Sequence, residues 1–112
     1  MRKIETAMNA AIANSQDWKN ANTEVEYDQG NQVSKVYLYG NKIAEIGENF
    51  IRIFDGGYQS NTTKSRLNAI LSMNGFGNER VFQKAGSWFL SVTEAFKIDP
   101  KIVPFTSGML VE

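Results

Sequence analysis

Val36-Tyr37-Leu38-Tyr39-Gly40-Asn41-Lys42-Ile43-Ala44-Glu45-Ile46 is two apolar runs separated by a glycine–asparagine pair. A two-residue loop opening on glycine suits a type I′ or II′ turn, because glycine reaches positive φ without a Cβ clash. The stretch therefore predicts a hairpin with Tyr39 opposite Lys42 and Leu38 opposite Ile43. Working outward, Gly47-Glu48-Asn49 supplies the next turn and Phe50 to Phe54 a third strand, stopped by Asp55-Gly56-Gly57. Upstream, Val25 and Tyr27 alternate with Glu24, Glu26 and Asp28, which predicts a strand over 23–28 with one wet side, closed by a turn at Gly30-Asn31. Downstream, Arg80 to Lys84 and Ser87 to Val92 read as a second hairpin about Ala85-Gly86.

Two helices frame these strands. Ile4, Met8, Ala11 and Ile12 recur at helical spacing and predict a short helix over 2–14. Leu67, Ile70 and Leu71 share a stripe that predicts a second helix over 63–74. Asn61, Thr62 or Thr63 would cap its start, since a side-chain oxygen there accepts from a free backbone N–H. Gly75 would sit at positive φ just past its end. Thr93 to Phe96 reads as one helical turn, and 97–112, with Pro100 and Pro104, as an irregular apolar tail. The expectation is one α+β domain over 1–112. It has an antiparallel sheet of about five to six strands, the meander plus the C-terminal hairpin. One helix packs on one face, beside a short N-terminal helix.

Composition narrows the class. A chain of 112 residues supports one core. Twelve basic residues balance twelve acidic ones, unlike a strongly basic nucleic-acid binder or a polybasic membrane anchor. No apolar run approaches the ~20 residues that span a bilayer. Met1-Arg2-Lys3-Ile4-Glu5 lacks the apolar stretch of a signal peptide. Cysteine and histidine are both absent, so thiolate and imidazole ligands and the commonest general base are missing. No catalytic residue, metal or cofactor is expected. The Glu24, Glu26, Asp28 stripe reads as the solvated side of a strand, with a weak oxygen-ligand cation site as the alternative.

Strand parity sorts the side chains into two faces. Val36, Leu38, Ile43, Ile51, Ile53, Val81, Trp88, Leu90 and Val92 form the core face, with Glu45 and Gln83 as its polar exceptions. The other face alternates aromatics and cations: Tyr37, Tyr39, Lys42, Phe50, Arg52, Phe54, Arg80, Phe82, Lys84 and Phe89. Rings that stack bases and cations that meet phosphates make such a face a candidate for single-stranded nucleic acid. Tyr37, Tyr39, Phe82 and Phe89 are the stacking candidates. The competing expectation is that the first helix and the tail cover this face as a second core. The most site-like segment is 56–66, where glycines and hydroxyls lead into a helix. Lys64 and Arg66 there fall where a helix dipole disfavours cations, which a bound phosphate would offset. The phosphate candidates are Lys64, Arg66, Thr62 and Thr63, extended by Arg52, Arg80 and Lys84.

The opening Met1-Arg2-Lys3-Ile4-Glu5 with Met8-Asn9, the Val36 to Ala44 hairpin and Thr62-Thr63-Lys64-Ser65-Arg66-Leu67-Asn68 resemble small uncharacterised proteins of tailed bacteriophages. The resemblance covers about the first three quarters of the chain and implies a phage-encoded protein at work in the host bacterial cytoplasm. It carries over no functional residues. The leading expectation is an accessory protein that contacts nucleic-acid phosphates. The alternatives are an inhibitor or adaptor bound to a host protein, and a structural component of the virion. An enzyme is not expected. No membrane partner is expected either, and the apolar tail offers a surface for homo-oligomers.

Overall fold

The computed structural model describes residues 1–76, 78–92 and 99–111. Helix α1 is Lys3–Ala13; strands β1 Trp18–Asn20, β2 Thr23–Asp28, β3 Val33–Leu38, β4 Asn41–Ile46 and β5 Ile51–Ile53 follow. Helix α2 is Asn61–Asn74, followed by β6 Arg80–Lys84, β7 Ser87–Val92, β8 Lys101–Pro104 and β9 Met109–Val111. All strand pairs are antiparallel. The α+β class is as expected, but the strands form two sheets, ordered β1-β2-β3-β4-β5-β9 and β6-β7-β8.

Two local facts keep the C-terminal hairpin out of the first sheet. The β5 edge is taken by β9, through the pairs Ile51–Val111, Arg52–Leu110 and Ile53–Met109. On the second sheet, the Asn68 amide of α2 occupies the β6 edge: Nδ2 donates to the Val81 carbonyl at 2.9 Å, and the Val81 N–H donates to Oδ1 at 2.8 Å. A side chain thus stands in for a neighbouring strand, which also blocks edge-to-edge pairing there. Asn68→Asp replaces the donor with a second acceptor facing the Val81 carbonyl. A loss of about 1–3 kcal/mol is expected in urea melts; a loss under about 0.5 kcal/mol would mean the two-bond pairing contributes nothing.

The described part of the tail, 99–111, is not irregular. β8 pairs with β7 and β9 with β5, and Val111 is buried while Val103, Phe105 and Met109 pack against the core. Its apolar residues therefore mostly serve this chain, with Ile102 and Leu110 left exposed. The expected turn at Thr93 to Phe96 lies outside the described residues.

The hairpin loop is Tyr39-Gly40, one residue earlier than expected, with φ of 51° and 78°. A type I′ turn needs positive φ at both central positions; Asn41 instead joins β4, opposite Leu38. Ile43 is then an extra residue, since Val36 pairs with Ala44 and Tyr37 with Lys42. This bulge turns both Ile43 and Ala44 inward and reverses the parity beyond them, so Glu45 faces outward and not toward the core. The second loop, Ala85-Gly86, falls where expected, with φ of 53° and 81°.

Helix α2 begins earlier than expected and is capped by Ser60, whose Oγ accepts the Thr63 N–H at 3.1 Å. Gly75 has φ of −71°, so positive φ is not its reason. A Cβ there would collide with the Leu71 carbonyl and the Glu79 carboxylate. Both helices lie on the same side of the first sheet. Met8, Ala11 and Ile12 of α1 and Leu67, Ile70 and Leu71 of α2 enter one core with Val36, Ile53, Trp88 and Leu90. The inward face read from the sequence is therefore right except at Glu45; Gln83 keeps the Trp88 side of β6, as expected, but lies exposed there.

Candidate nucleic-acid interface

The start of α2 does not gather the residues that pointed to it. Asn61 is the first helical residue, so Lys64 is the fourth and Arg66 the sixth, beyond the turn where the dipole acts. Lys64 Nζ donates to Gln83 Oε1 at 3.1 Å and lies 5.9 Å from the Trp88 ring centroid. Thr63 is buried, its hydroxyl 2.9 Å from the Ser60 hydroxyl. Thr62 remains half-buried at the rim.

Arg66 faces inward and is 3% exposed. Its Nη1 meets Glu5 Oε2 at 2.8 Å, its Nε donates to Thr23 Oγ1 at 3.0 Å and its Nη2 to Asn22 Oδ1 at 3.3 Å. Glu5, also 3% exposed, further accepts the Ser65 hydroxyl at 2.6 Å and the Arg2 N–H at 3.3 Å. Burial would push the Glu5 carboxyl up; the Ser65 hydroxyl, the Arg66 guanidinium and the Arg2 N–H outweigh it and hold the group below its ordinary value. The network ties α1, α2 and the β1–β2 turn together. Arg66 belongs to the interior and is removed from the phosphate candidates.

The expected cation–aromatic face is split between the two sheets, and no described helix covers either half. On the six-stranded sheet the charges cancel locally. Glu45 bridges Lys42 at 3.1 Å and Arg52 at 3.7 Å, and Arg52 Nη1 also donates to the Gly108 carbonyl at 2.7 Å. Lys42 Nζ lies 4.9 Å from the Phe54 ring centroid, and Lys35 meets Asp28 at 3.6 Å. Asn31 side-chain and backbone N–H groups hold the Asp28 carboxyl below its ordinary value. Tyr37 lies on this face, but Tyr39 has left it for the hairpin tip.

The three-stranded sheet carries the other half. Phe82 and Phe89 are cross-strand partners, their rings stacked at 5.7 Å with planes 27° apart. Arg80 and Lys84 flank Phe82 on the same face of β6; both are exposed, and neither forms an ion pair with a described residue. Pro104 and Ile102, opposite Phe89 and Ser91, extend the face with apolar surface. No described acidic residue of β6, β7 or β8 lies on it. Ile102 and Pro104 escape the sequence reading because the prolines of the tail mask its strand alternation. Asn68 and Glu5 escape it because a lone polar residue in a helix pattern gives no hint of a distant partner.

Among the described residues no group of three or more Asp or Glu side chains is placed to hold a metal ion, and no helix is long and apolar enough to cross a membrane. The family model for the Kyanoviridae Gp96 protein matches residues 1–112. The chain belongs to that family. Kyanoviridae are cyanophages, so the phage resemblance seen over three quarters of the sequence extends to all of it. No curated protein and no solved structure matches the chain.

Proposed function

We propose that this phage protein is an accessory factor that binds single-stranded nucleic acid on the outer face of its three-stranded sheet. What supports the reading is the Phe82–Phe89 pair set between two cations that no described carboxylate neutralises. Bases stack on such rings in any sequence, and Arg80 and Lys84 meet the phosphates. Arg80 and Lys84 are four strand residues apart, about 13 Å, so each reaches a different phosphate of one strand. Lys64 and Thr62 lie off this face, on the α2 side, and Arg52 is engaged by Glu45 and Gly108.

The test is a fluorescence titration of short single- and double-stranded oligonucleotides at several salt concentrations. Arg80→Ala/Lys84→Ala is expected to lower the salt slope of log K by about 0.7 for each phosphate left without its cation, and to weaken all sequences alike. Phe89→Ala should weaken single strands by about 1–3 kcal/mol while leaving the slope unchanged. Binding undetectable at low salt, or untouched by both variants, would reject the reading. A second reading, a host protein as the partner, is favoured by one observation: Ile102, 55% exposed, and Pro104 add an apolar rim beside the phenylalanines.

A further inference from the structure

The hairpin tip and the loop before α2 enclose a cleft of about 190 Å³. Buried Leu38 and Ile43 line it, together with Tyr39 and Tyr58, which are 75% and 77% exposed. Among the described residues neither ring stacks on another or takes a cation. Both tyrosines stand on turns anchored to the sheet. The Tyr39 N–H donates to the Asn22 carbonyl at 2.8 Å, and Phe54, just ahead of the second turn, donates to the Ile43 carbonyl at 2.8 Å. Tyr58 follows two glycines at φ of 70° and 85° that swing the loop outward.

Tyr39 is the unexpected choice. At φ of 51° its backbone lies where asparagine or glycine is at ease and a bulky side chain is not. Its ring gains little packing in return. A strained, exposed aromatic on a rigid scaffold is a residue positioned to contact something else. The cleft is smaller than the roughly 300–1,000 Å³ of pockets that swallow a whole small molecule, so it takes one ring-sized group. Among the described residues Asp55 is the sole charged side chain lining it; its oxygens accept the Gly57 N–H at 2.8 Å and the Gln59 amide at 3.4 Å, neither of which carries charge, so its negative charge favours a cation beside that group and disfavours an anion. Tyrosines on loops give contact area at small entropic cost, and aromatic-lined grooves take the preformed extended helix of proline-containing peptides.

The geometry points to a docking site for an extended, proline-containing segment of a partner protein, a prolyl ring lodged against Tyr39 and Tyr58 and a lysine or arginine beside it near Asp55. The site is separate from the three-stranded sheet and does not rest on nucleic-acid binding. The experiment is fluorescence polarisation of a labelled polyproline peptide carrying one arginine, against a counterpart with alanine at every proline. Saturable binding of the first, and binding at least about ten-fold weaker for the second, is expected. Tyr58→Ser and Tyr39→Asn should each weaken the proline peptide about ten-fold or more. Tyr39→Asn relieves the turn, so its melting temperature should hold or rise, which separates a docking defect from a folding defect. Arg80→Ala/Lys84→Ala should leave the peptide affinity unchanged. No saturable binding, equal binding of the alanine peptide, affinity unmoved by both tyrosine variants, or displacement of the peptide by an oligonucleotide would each overturn the proposal.

Discussion

Replacing Glu5 by alanine is expected to remove about 3–5 kcal/mol of folding stability, because it leaves the Arg66 guanidinium buried without its counter-charge. Thr23 and Asn22 would still accept two of its N–H groups, but neither carries charge. Arg66→Ala should cost a similar amount by stranding the Glu5 carboxylate. Glu5→Leu/Arg66→Met together should cost far less than the sum, since no unpaired charge then remains. The acid dependence has a definite sign. The folded Glu5 carboxyl lies below its ordinary value, so its contribution is fully present above the unfolded value of about 4.3 and is lost as pH falls through the folded value. The gap in urea midpoint between the native chain and Glu5→Gln should therefore narrow below about pH 4. Asp28 shifts in the same direction in both proteins, so the difference isolates Glu5. A single-variant loss under about 1 kcal/mol, or a gap that does not change with pH, would show that water reaches the pair.

Leu71→Ala is expected to cost about 2–5 kcal/mol in denaturant melts, through the apolar transfer energy forgone and the cavity left between α2 and the sheets. Leu71 is fully buried in the same cluster as Ile53, Trp88 and Val111. Met73, two residues on and 66% exposed, is the control; Met73→Ala should change stability by less than about 0.5 kcal/mol. If both variants lose equally, α2 is held by something other than the burial of Leu71.

These two expectations stand in different relation to the sequence. Leu71 is legible there, because the 3.6-residue period of Leu67, Ile70 and Leu71 names the buried stripe without any knowledge of its partner. Strand alternation likewise picks out Val36, Leu38, Ile51, Ile53, Val81, Trp88 and Leu90, all of them buried. The role of Arg66 is not legible. In the sequence it is a cation near a helix start, the same sign that marks Lys64. Its distance from the helix start, and the Glu5 carboxylate brought to it across 61 residues, make it interior and not a ligand contact.

The same division runs through the candidate surface. Periodicity and turn chemistry determined both helices, strands β2 to β7, both hairpins, most of the inward face and the alternation of rings with cations, because those follow from the geometry of a few neighbouring residues; β1, β8 and β9 were not among them. Tertiary structure decided the rest. A bulge at Ile43 moved Glu45 outward, where it pairs with both Lys42 and Arg52. β9 closed the β5 edge and Asn68 closed the β6 edge, cutting one expected face into two. The half with Phe82, Phe89, Arg80 and Lys84 kept its cations clear of described carboxylates, beside a stacked ring pair. The physical reason is range: the pattern of side chains along a strand is local, whereas which strand, carboxylate or amide meets it is a long-range contact that no spacing along the chain encodes.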